Sequence, residues 1–296
     1  MRITTISLFS ALIFAISFGG IYRDDVKEEE YLALAQQKQF DCVGQIYSGT
    51  SWRCSCVLIS DRFILTAAHI FIDSDIRHDT VHMNDQTVIL YVPYNSHLTD
   101  VSKLYAVFKD HKVKVKSFTI YPNYLDSLNK GSCDIAIIEL EQPITTISPA
   151  RINKDFDELK SNVIGVGFGA SGPANKPELI QSSMKKIAGE NVVDSLTGYK
   201  LNGYETILSC DLDHPTRKDC NKMGSSVPRP LEYVTSGGDS GGGLFRQKDK
   251  RWELVGICCG RGVNIDQLNK SGYYGQIMDW TRVSAFADWI SQQVKQ

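Results

Sequence analysis

One glycine-dense turn decides the fold of this chain: Ser236-Gly237-Gly238-Asp239-Ser240-Gly241-Gly242-Gly243. Five of its eight residues are glycine, so the backbone can turn sharply and approach its neighbours closely. A serine at the centre of such a turn is a candidate nucleophile. On its own the segment could equally be a flexible loop, so its meaning depends on the rest of the sequence.

Two other segments carry the groups that a serine nucleophile requires. Leu65-Thr66-Ala67-Ala68-His69 ends a predicted strand on a histidine, and Asp134-Ile135-Ala136-Ile137-Ile138-Glu139-Leu140 opens another strand with an acid. A serine hydroxyl needs a base, and imidazole is the side chain that titrates near neutral pH. A buried carboxylate would orient the imidazole and stabilise its protonated form. We therefore predict that Ser240 is the nucleophile, His69 the base and Asp134 the orienting acid.

The three segments resemble the most specific motifs of the trypsin/chymotrypsin-type serine peptidase family. Thr-Ala-Ala-His, Asp-Ile-Ala and Gly-Asp-Ser-Gly-Gly occur in the chymotrypsin order His, Asp, Ser. The resemblance runs from about residue 42 to residue 294 and includes Gly167-Phe168-Gly169 and Thr281-Arg282-Val283. It implies peptide-bond hydrolysis through an acyl-enzyme, with the N–H groups of Gly238 and Ser240 as the oxyanion hole. It implies no cofactor and no metal.

The remaining pattern is that of an all-β protein. Short β-rich runs are separated by Gly, Asn, Asp and Ser clusters, and Lys112-Val113-Lys114-Val115-Lys116 alternates like a strand with one wet face. An apolar stripe with helical period closes the chain, at Val283, Phe286, Ala287, Ile290 and Val294. The resemblance implies two antiparallel six-stranded β-barrels and a C-terminal α-helix. We place this peptidase domain at 42–296, with the first barrel at about 42–145, the second at about 155–282 and the helix at 283–294.

The N-terminal region predicts a secreted protein. Residues 1–19 combine one basic residue, Arg2, with a short apolar stretch and small residues near Gly19, as a signal peptide does. A transmembrane anchor, the alternative, needs about 20 apolar residues, and this stretch is shorter. We interpret residues 20–41 as a polar lead or propeptide-like segment.

Composition limits the partners. The 296 residues are 42% hydrophobic and 22% charged, which excludes a disordered chain. The formal net charge is −2, so no basic excess draws the chain to nucleic acid. No later segment is long and apolar enough to span a membrane. We expect a secreted (extracellular or periplasmic) monomer that meets protein or peptide substrates and protein inhibitors, with no nucleic-acid or membrane partner.

The chain lacks the activation motif of the family that it resembles. Relatives are usually cleaved after Arg or Lys before Ile-Val-Gly-Gly, and the new ammonium group pairs with the acid before the serine, here Asp239. No such motif follows the basic residues between 20 and 41. Our hypothesis is that maturation near Gly19/Gly20, or an internal cation, satisfies Asp239 instead.

Eight cysteines are consistent with an oxidising compartment. The family commonly links the strand before the histidine to the residue after it, which here is Ile70, so Cys54 lacks that partner. Candidate pairs are Cys42 with Cys54 or Cys56, and Cys210 with Cys220, and other connectivities stay open. The cysteine spacings do not match those of zinc sites.

The substrate pocket is predicted from its distance to Ser240. Val234 stands six residues before the serine, where trypsin-like relatives carry an aspartate. A pocket floor without a carboxylate gives no reason to prefer Lys or Arg at the cleavage site, so we expect an apolar or small residue there. The other predicted pocket residues are Thr235, Cys259, Gly260 and Arg261. Arg261 could instead favour an acidic residue.

Three other interpretations are open. His78 and His82 have the i, i+4 spacing of a zinc-binding helix, but the residues between them lack the glutamate base and form helices poorly. Gly165-x-Gly167-x-Gly169 follows a predicted strand like a dinucleotide loop, but the full motif and a following helix are missing. The chain could also be a catalytically silent family member that acts as a binding module.

Overall fold

A computed structural model describes residues 20–83, 86–125, 131–182, 184–261 and 272–295. Within these ranges only the backbone is described at 81–83, 86–91 and 261. The predicted signal peptide, residues 1–19, lies outside the described residues. No helix in the described ranges is long and apolar enough to cross a bilayer.

The described chain consists mainly of β-strands, as the sequence predicts. The first nine are β1 (Gly20–Tyr22), β2 (Val43–Ser48), β3 (Ser51–Leu58), β4 (Phe63–Thr66), β5 (Ile72–Met83), β6 (Gln86–Leu98), β7 (Leu104–Phe108), β8 (His111–Ile120) and β9 (Ala136–Leu140). The others are β10 (Asn162–Gly167), β11 (Ser171–Pro173), β12 (Ile187–Val192), β13 (Ser195–Leu201), β14 (Tyr204–Asp211), β15 (Tyr233–Val234), β16 (Gly243–Lys248), β17 (Arg251–Arg261) and β18 (Ile277–Arg282). Two α-helices are α1 (Glu28–Ala35) and α2 (Ala287–Val294).

Six strands of the first half close into a barrel. Their order is β2-β3-β4-β9-β8-β7, and all neighbours pair antiparallel. The predicted alternation is present in β8, where Val115 is buried and Lys114 and Lys116 are exposed. Closure leaves no unpaired edge in this sheet. The all-β fold with a six-stranded barrel and a C-terminal helix is confirmed.

The second half is a seven-stranded antiparallel sheet, where the sequence predicts a second six-stranded barrel. Its order is β12-β10-β16-β17-β18-β14-β13. Strand β13 is joined to β14 by Asn202 and Gly203, which both have positive φ, at 52° and 88°. Asn-Gly with this backbone is a strong hairpin signal, so the extra strand has a local cause that the sequence analysis overlooked.

Residues 20–41 are packed into the folded domain. Strand β1 lies between β11 and β15 in a three-stranded sheet. Ile21 of β1 and Tyr31 of α1 have no exposed surface. The sequence analysis starts the domain at residue 42, and the structure extends its packed part back to Gly20.

None of the predicted disulfides is present in the structure, because the cysteines of the candidate pairs are free thiols: Cys42, Cys54, Cys56, Cys210 and Cys220. The register of β2 and β3 explains why Cys42 and Cys56 are not bonded. Cys42 lies opposite Leu58 and Cys56 lies opposite Gly44, which makes the two cysteines diagonal neighbours. Diagonal neighbours are about 7–8 Å apart in a sheet, beyond the usual Cα separation of a disulfide.

Strands β5 and β6 form a separate two-stranded hairpin directly after His69. His78 and His82 therefore lie on a strand, not on a helix. Residues four apart on a strand are separated by about 13 Å, so the backbone does not have the i, i+4 geometry of a zinc-binding helix. In the described ranges no group of His, Cys, Asp and Glu side chains could hold a metal.

Candidate active site

The first barrel brings His69 and Asp134 to the same end. Strand β4 ends at Thr66, which pairs with Ala136 at the start of β9, so the residues that flank this pair are neighbours. The His69 N–H group donates to Asp134 Oδ1 at 2.8 Å, and His69 Nδ1 lies 2.6 Å from Asp134 Oδ2. Because a carboxylate only accepts hydrogen bonds, Nδ1 carries the proton and Nε2 is left as the acceptor.

Ser240 completes a hydrogen-bonded series with these two residues. It lies in the turn between β15 and β16, and its Oγ is 2.9 Å from His69 Nε2. The Asp134 side chain is 6% exposed and that of His69 17%, so the acid is shielded while the imidazole reaches the surface. Thr281 of β18 donates its hydroxyl to the Asp134 carbonyl oxygen at 2.8 Å. The structure thus joins all three predicted residues, from both halves of the chain.

Two glycines of the turn adopt backbone conformations that other residues rarely adopt. Gly238 and Gly241 adopt φ values of +90° and +80°, which side chains rarely tolerate. A Cβ at Gly238 would come under 3.0 Å from the indole ring of Trp52. In the described part of the chain, the N–H groups of Gly238 and Ser240 find no acceptor. Both donors are therefore available to a ligand oxygen beside the serine.

Ser55 of β3 holds the turn from the first half, and the sequence analysis missed it. Its N–H group donates to the Ser240 carbonyl oxygen at 2.9 Å, and its hydroxyl donates to the Gly238 carbonyl oxygen at 3.3 Å. The same hydroxyl accepts from the Phe168 N–H group at 2.9 Å. Ser55 is fully buried between Cys54 and Cys56, and nothing in the sequence around it indicates these partners.

Asp239 anchors the turn from beneath and has only uncharged donors. Its Oδ1 accepts from the Gly169 N–H group at 2.8 Å, and its Oδ2 accepts from the Ser236 N–H group at 3.0 Å and the Tyr233 hydroxyl at 3.1 Å. Burial raises the pKa of Asp239 to about 6, although the three hydrogen bonds act to lower it. Among the described residues, no Lys, Arg or His side chain pairs with it, so the internal cation, one of the two predicted alternatives, is not found there.

The predicted pocket residues are placed differently from one another. Val234 is 1% exposed and packs in an apolar cluster with Cys258 and Met278. Thr235 is fully buried, with its hydroxyl 3.2 Å from Cys258 Sγ. Met278 of β18, opposite Arg261 in the sheet register, is a buried member of the same cluster.

Strand β17 is irregular at the other predicted pocket residues, Cys259 and Gly260. Its pairing with β18 shifts register between Cys258 and Gly260, so Cys259 stands in a bulge and is half-buried. A Cβ at Gly260 would meet no atom within 4 Å, which places this residue beside open space. The Arg261 side chain lies outside the described residues.

The all-β fold and the Ser240, His69 and Asp134 site agree with a match to a known protein family. A sequence model of the Trypsin family matches residues 33–290, most of the chain. The chain therefore belongs to the Trypsin family.

The curated proteins that the chain resembles share about a quarter of its residues and are longer than it is. CLIP domain-containing serine protease C9 of Anopheles gambiae is 26% identical over 260 residues, which cover 83% of this chain and 61% of that protein. Phenoloxidase-activating factor 3 of Holotrichia diomphalia is 23% identical over 279 residues, 92% of this chain and 70% of that protein. Transmembrane protease serine 9 of Rattus norvegicus is 25% identical over 252 residues, 82% of this chain but 20% of that protein. The chain thus spans only part of the first relatives that it matches.

Proposed function

We propose that this chain is a serine endopeptidase that hydrolyses peptide bonds through an acyl-enzyme on Ser240. The observation that carries the proposal is the series of hydrogen bonds from Asp134 Oδ2 through both ring nitrogens of His69 to Ser240 Oγ. Membership of the Trypsin family supports the same reading.

The geometry supports one reaction sequence. Ser240 Oγ attacks the carbonyl carbon of the peptide while His69 Nε2 takes the hydroxyl proton, and Asp134 stabilises the imidazolium. The N–H groups of Gly238 and Ser240 donate to the oxygen that becomes negative, and losing one such donor typically costs about 10²–10³ in rate. The imidazolium then protonates the leaving amine as the C–N bond breaks. Water, deprotonated by His69, releases the acyl group and restores the serine.

Covalent labelling tests this proposal directly. A fluorophosphonate should label the secreted, folded protein at one site and abolish peptide hydrolysis, and Ser240→Ala should prevent both. Ser102→Ala, at an exposed serine of the first half, is the matched control and should behave as the unchanged protein does. Folded and processed protein that is neither labelled nor active would instead support the silent binding module.

We further propose that the protein acts outside the cell. The signal-like segment 1–19 supports this assignment. N-terminal sequencing of secreted, active protein should give a start near Gly19 or Gly20. A start well inside the chain, after a basic residue, would refute maturation without an activation cleavage.

For specificity, we propose cleavage after apolar or small residues. Val234 and Met278 share one apolar cluster, and neither supplies a carboxylate that could pair with Lys or Arg. Peptides that differ only at the residue before the scissile bond provide the test. Leu, Phe or Ala should exceed Lys and Arg in kcat/KM, a preference for Glu or Asp would favour the Arg261 alternative, and a strong basic preference would overturn both.

A further inference from the structure

A row of side chains crosses four strands on the outer face of the first barrel. The register places Trp52 of β3 opposite Tyr47 of β2, Tyr47 opposite Tyr105 of β7, and Tyr105 opposite Lys114 of β8. Residues directly opposite each other in a sheet lie on the same face. All four are at least partly exposed, and the residues on either side of Tyr105 along β7 are buried. We call these four residues the outer row.

One end of the outer row touches the candidate catalytic turn. The indole ring of Trp52 lies so close to Gly238 that a Cβ there would come under 3.0 Å from it. Gly238 N–H is a proposed donor to the carbonyl oxygen at the scissile bond. The acyl side of a bound peptide lies toward Val234 in the second half, whereas His69, the proposed proton donor to the leaving amine, belongs to the first half. A peptide on Ser240 therefore brings its leaving-group side over Trp52.

The middle of the outer row is aromatic. The rings of Tyr47 and Tyr105 stack with their centroids 5.1 Å apart and their planes 3° apart. Lys112 Nζ lies 4.0 Å from the centre of the Tyr105 ring. Exposed rings of this kind offer a flat, largely apolar surface with polar edges, which fits apolar or aromatic side chains of an extended peptide.

The far end of the outer row is cationic. Lys112 and Lys114 lie on the exposed face of β8. In the part of the chain that the structure describes, neither ammonium group pairs with a carboxylate, whereas Lys116 Nζ lies 2.7 Å from Glu139 Oε1. Two neighbouring cations without counter-ions attract acidic groups. This end therefore favours carboxylate side chains of a ligand.

The length of the outer row sets the spacing of the ligand. Neighbouring strands are about 4.8 Å apart, so the three spacings from Trp52 to Lys114 span about 14 Å. An extended peptide advances about 3.3 Å per residue and covers this distance in about four residues. A peptide whose first residues after the scissile bond lie on Trp52 then reaches Lys114 about four to six residues after that bond.

We propose that the outer row binds the leaving-group side of the substrate. It selects an apolar or aromatic residue just after the scissile bond and acidic residues about four to six positions after it. The inference rests on the proposed peptidase function and adds to it a substrate class: the cluster around Val234 concerns the residue before the bond, and the outer row concerns the residues after it.

Two internally quenched peptides test the cationic end. They differ only at positions four to six after the scissile bond, which are Asp-Glu-Asp in one and Lys-Arg-Lys in the other. The unchanged protein should prefer the acidic peptide in kcat/KM by about tenfold at about 20 mM salt, and by less than about threefold at about 0.5 M, because salt screens exposed charges. Lys112→Glu with Lys114→Glu should invert the preference. Lys154→Glu with Lys160→Glu, at exposed lysines between the two halves, changes the net charge equally and should keep it.

Interception of the acyl-enzyme tests the aromatic end. Phe-amide and Gly-amide, added as nucleophiles, compete for the same acyl group on Ser240, so any change in oxyanion geometry affects both and cancels in their ratio. The unchanged protein should use Phe-amide at least about tenfold better than Gly-amide, and Trp52→Ala should reduce that ratio to about threefold or less. Tyr204→Ala, at an exposed aromatic residue of the second half, is the control and should keep the ratio.

Each outcome bears on one proposal. If the protein is labelled by the fluorophosphonate but cleaves both quenched peptides equally, or keeps its acidic preference after both lysines are reversed, the cationic end is wrong. Equal use of the two amides by the unchanged protein would overturn the aromatic end. If the double reversal does not fold, Lys114→Ala should still lower the acidic preference at least twofold. If the unchanged protein is not labelled, the peptidase function fails and this inference fails with it.

Discussion

Glu158 and Asp239 both have no exposed surface, but the protein surrounds them differently. Glu158 Oε2 accepts from Arg282 Nη2 at 2.5 Å and from Arg282 Nε at 3.0 Å. Its other oxygen accepts from the Ser284 hydroxyl at 2.5 Å and the Asn153 amide at 2.8 Å. Asp239 has a similar number of donors, and none of those in the described residues is charged.

The presence or absence of a charged donor distinguishes a structural carboxylate, Glu158, from Asp239 beside the candidate active site. The ion pair with Glu158 connects the segment between the two halves to the end of β18, so a full counter-charge stabilises a junction. Asp239 lies next to the candidate nucleophile and has no charged donor among the described residues. Strained or costly electrostatics of this kind concentrate at functional sites. The four predictions below test this contrast, from the largest expected effect to the smallest.

Breaking the Glu158 ion pair should cost the most stability. Glu158→Ala leaves the Arg282 guanidinium buried without its partner, and such changes typically cost about 3–5 kcal/mol. Urea unfolding of Ser240→Ala protein, with and without the second change, measures the difference. The double change Glu158→Leu with Arg282→Met should restore much of the loss. A cost of less than about 1 kcal/mol for Glu158→Ala would show that the pair is not structural.

Filling the space beside Asp239 should affect activity more than stability. The added methyl group of Gly167→Ala would overlap the Asp239 carboxylate, which must move and take the Ser240 turn with it. We expect kcat to fall at least tenfold and stability to fall by about 1–3 kcal/mol. Gly131→Ala is the control, because a Cβ there meets nothing within 4 Å. Unchanged kcat in Gly167→Ala would mean that the carboxylate position is not critical.

Stability should decrease as pH rises from 5 to 9. Burial raises the pKa of Asp239 to about 6, of Asp194 and Asp211 to about 7, and of Glu232 to about 9. Each group binds its proton more tightly in the folded than in the unfolded state. The resulting stability is complete below pH 4 and is lost as pH rises through the folded values.

Urea midpoints of Ser240→Ala protein across this pH range provide the measurement. Glu232→Gln should flatten the curve over the whole interval from pH 5 to 9, because folded Glu232 keeps a proton there that the unfolded chain has lost. A midpoint that rises over the same interval would contradict the assignment of these buried acids.

An exposed ion pair should contribute least to the free energy of unfolding. Arg217 donates to Asp219 through two nitrogens, but both side chains are open to solvent, with 59% and 70% exposure. Water and salt screen such pairs, so Arg217→Ala should not change the urea midpoint measurably. A clear loss of stability would mean that hydrogen-bond geometry alone, without burial, accounts for the strength of the Glu158 pair.

Local motifs predicted much of the candidate site. His69, Asp134 and Ser240 each stand in a short segment whose residue types are specific, so their meeting at 2.6 and 2.9 Å follows from recognising three segments. Their catalytic role stays a prediction until Ser240 is labelled. The seventh strand was also predictable, since Asn202-Gly203 is a hairpin signal in the sequence itself.

Other features could not be predicted because they depend on register between distant segments. Cys42 and Cys56 are close in sequence, yet their diagonal placement on two strands prevents a disulfide. Ser55 supports Ser240 across 185 residues of chain, and nothing in the sequence near Ser55 indicates that partner. The burial of Val234 is another case, since its cluster includes Met278, which lies more than 40 residues further along the chain.

The sequence by itself determined the reacting groups, because nucleophile, base and orienting acid are properties of residue types in short local patterns. Only the tertiary structure decided how their charges are held. Hydrogen bonding and desolvation depend on what surrounds a group. The same carboxylate chemistry therefore gave Glu158 a guanidinium partner and left Asp239 with the Tyr233 hydroxyl and two backbone N–H groups. Those surroundings come from segments that are far apart along the chain.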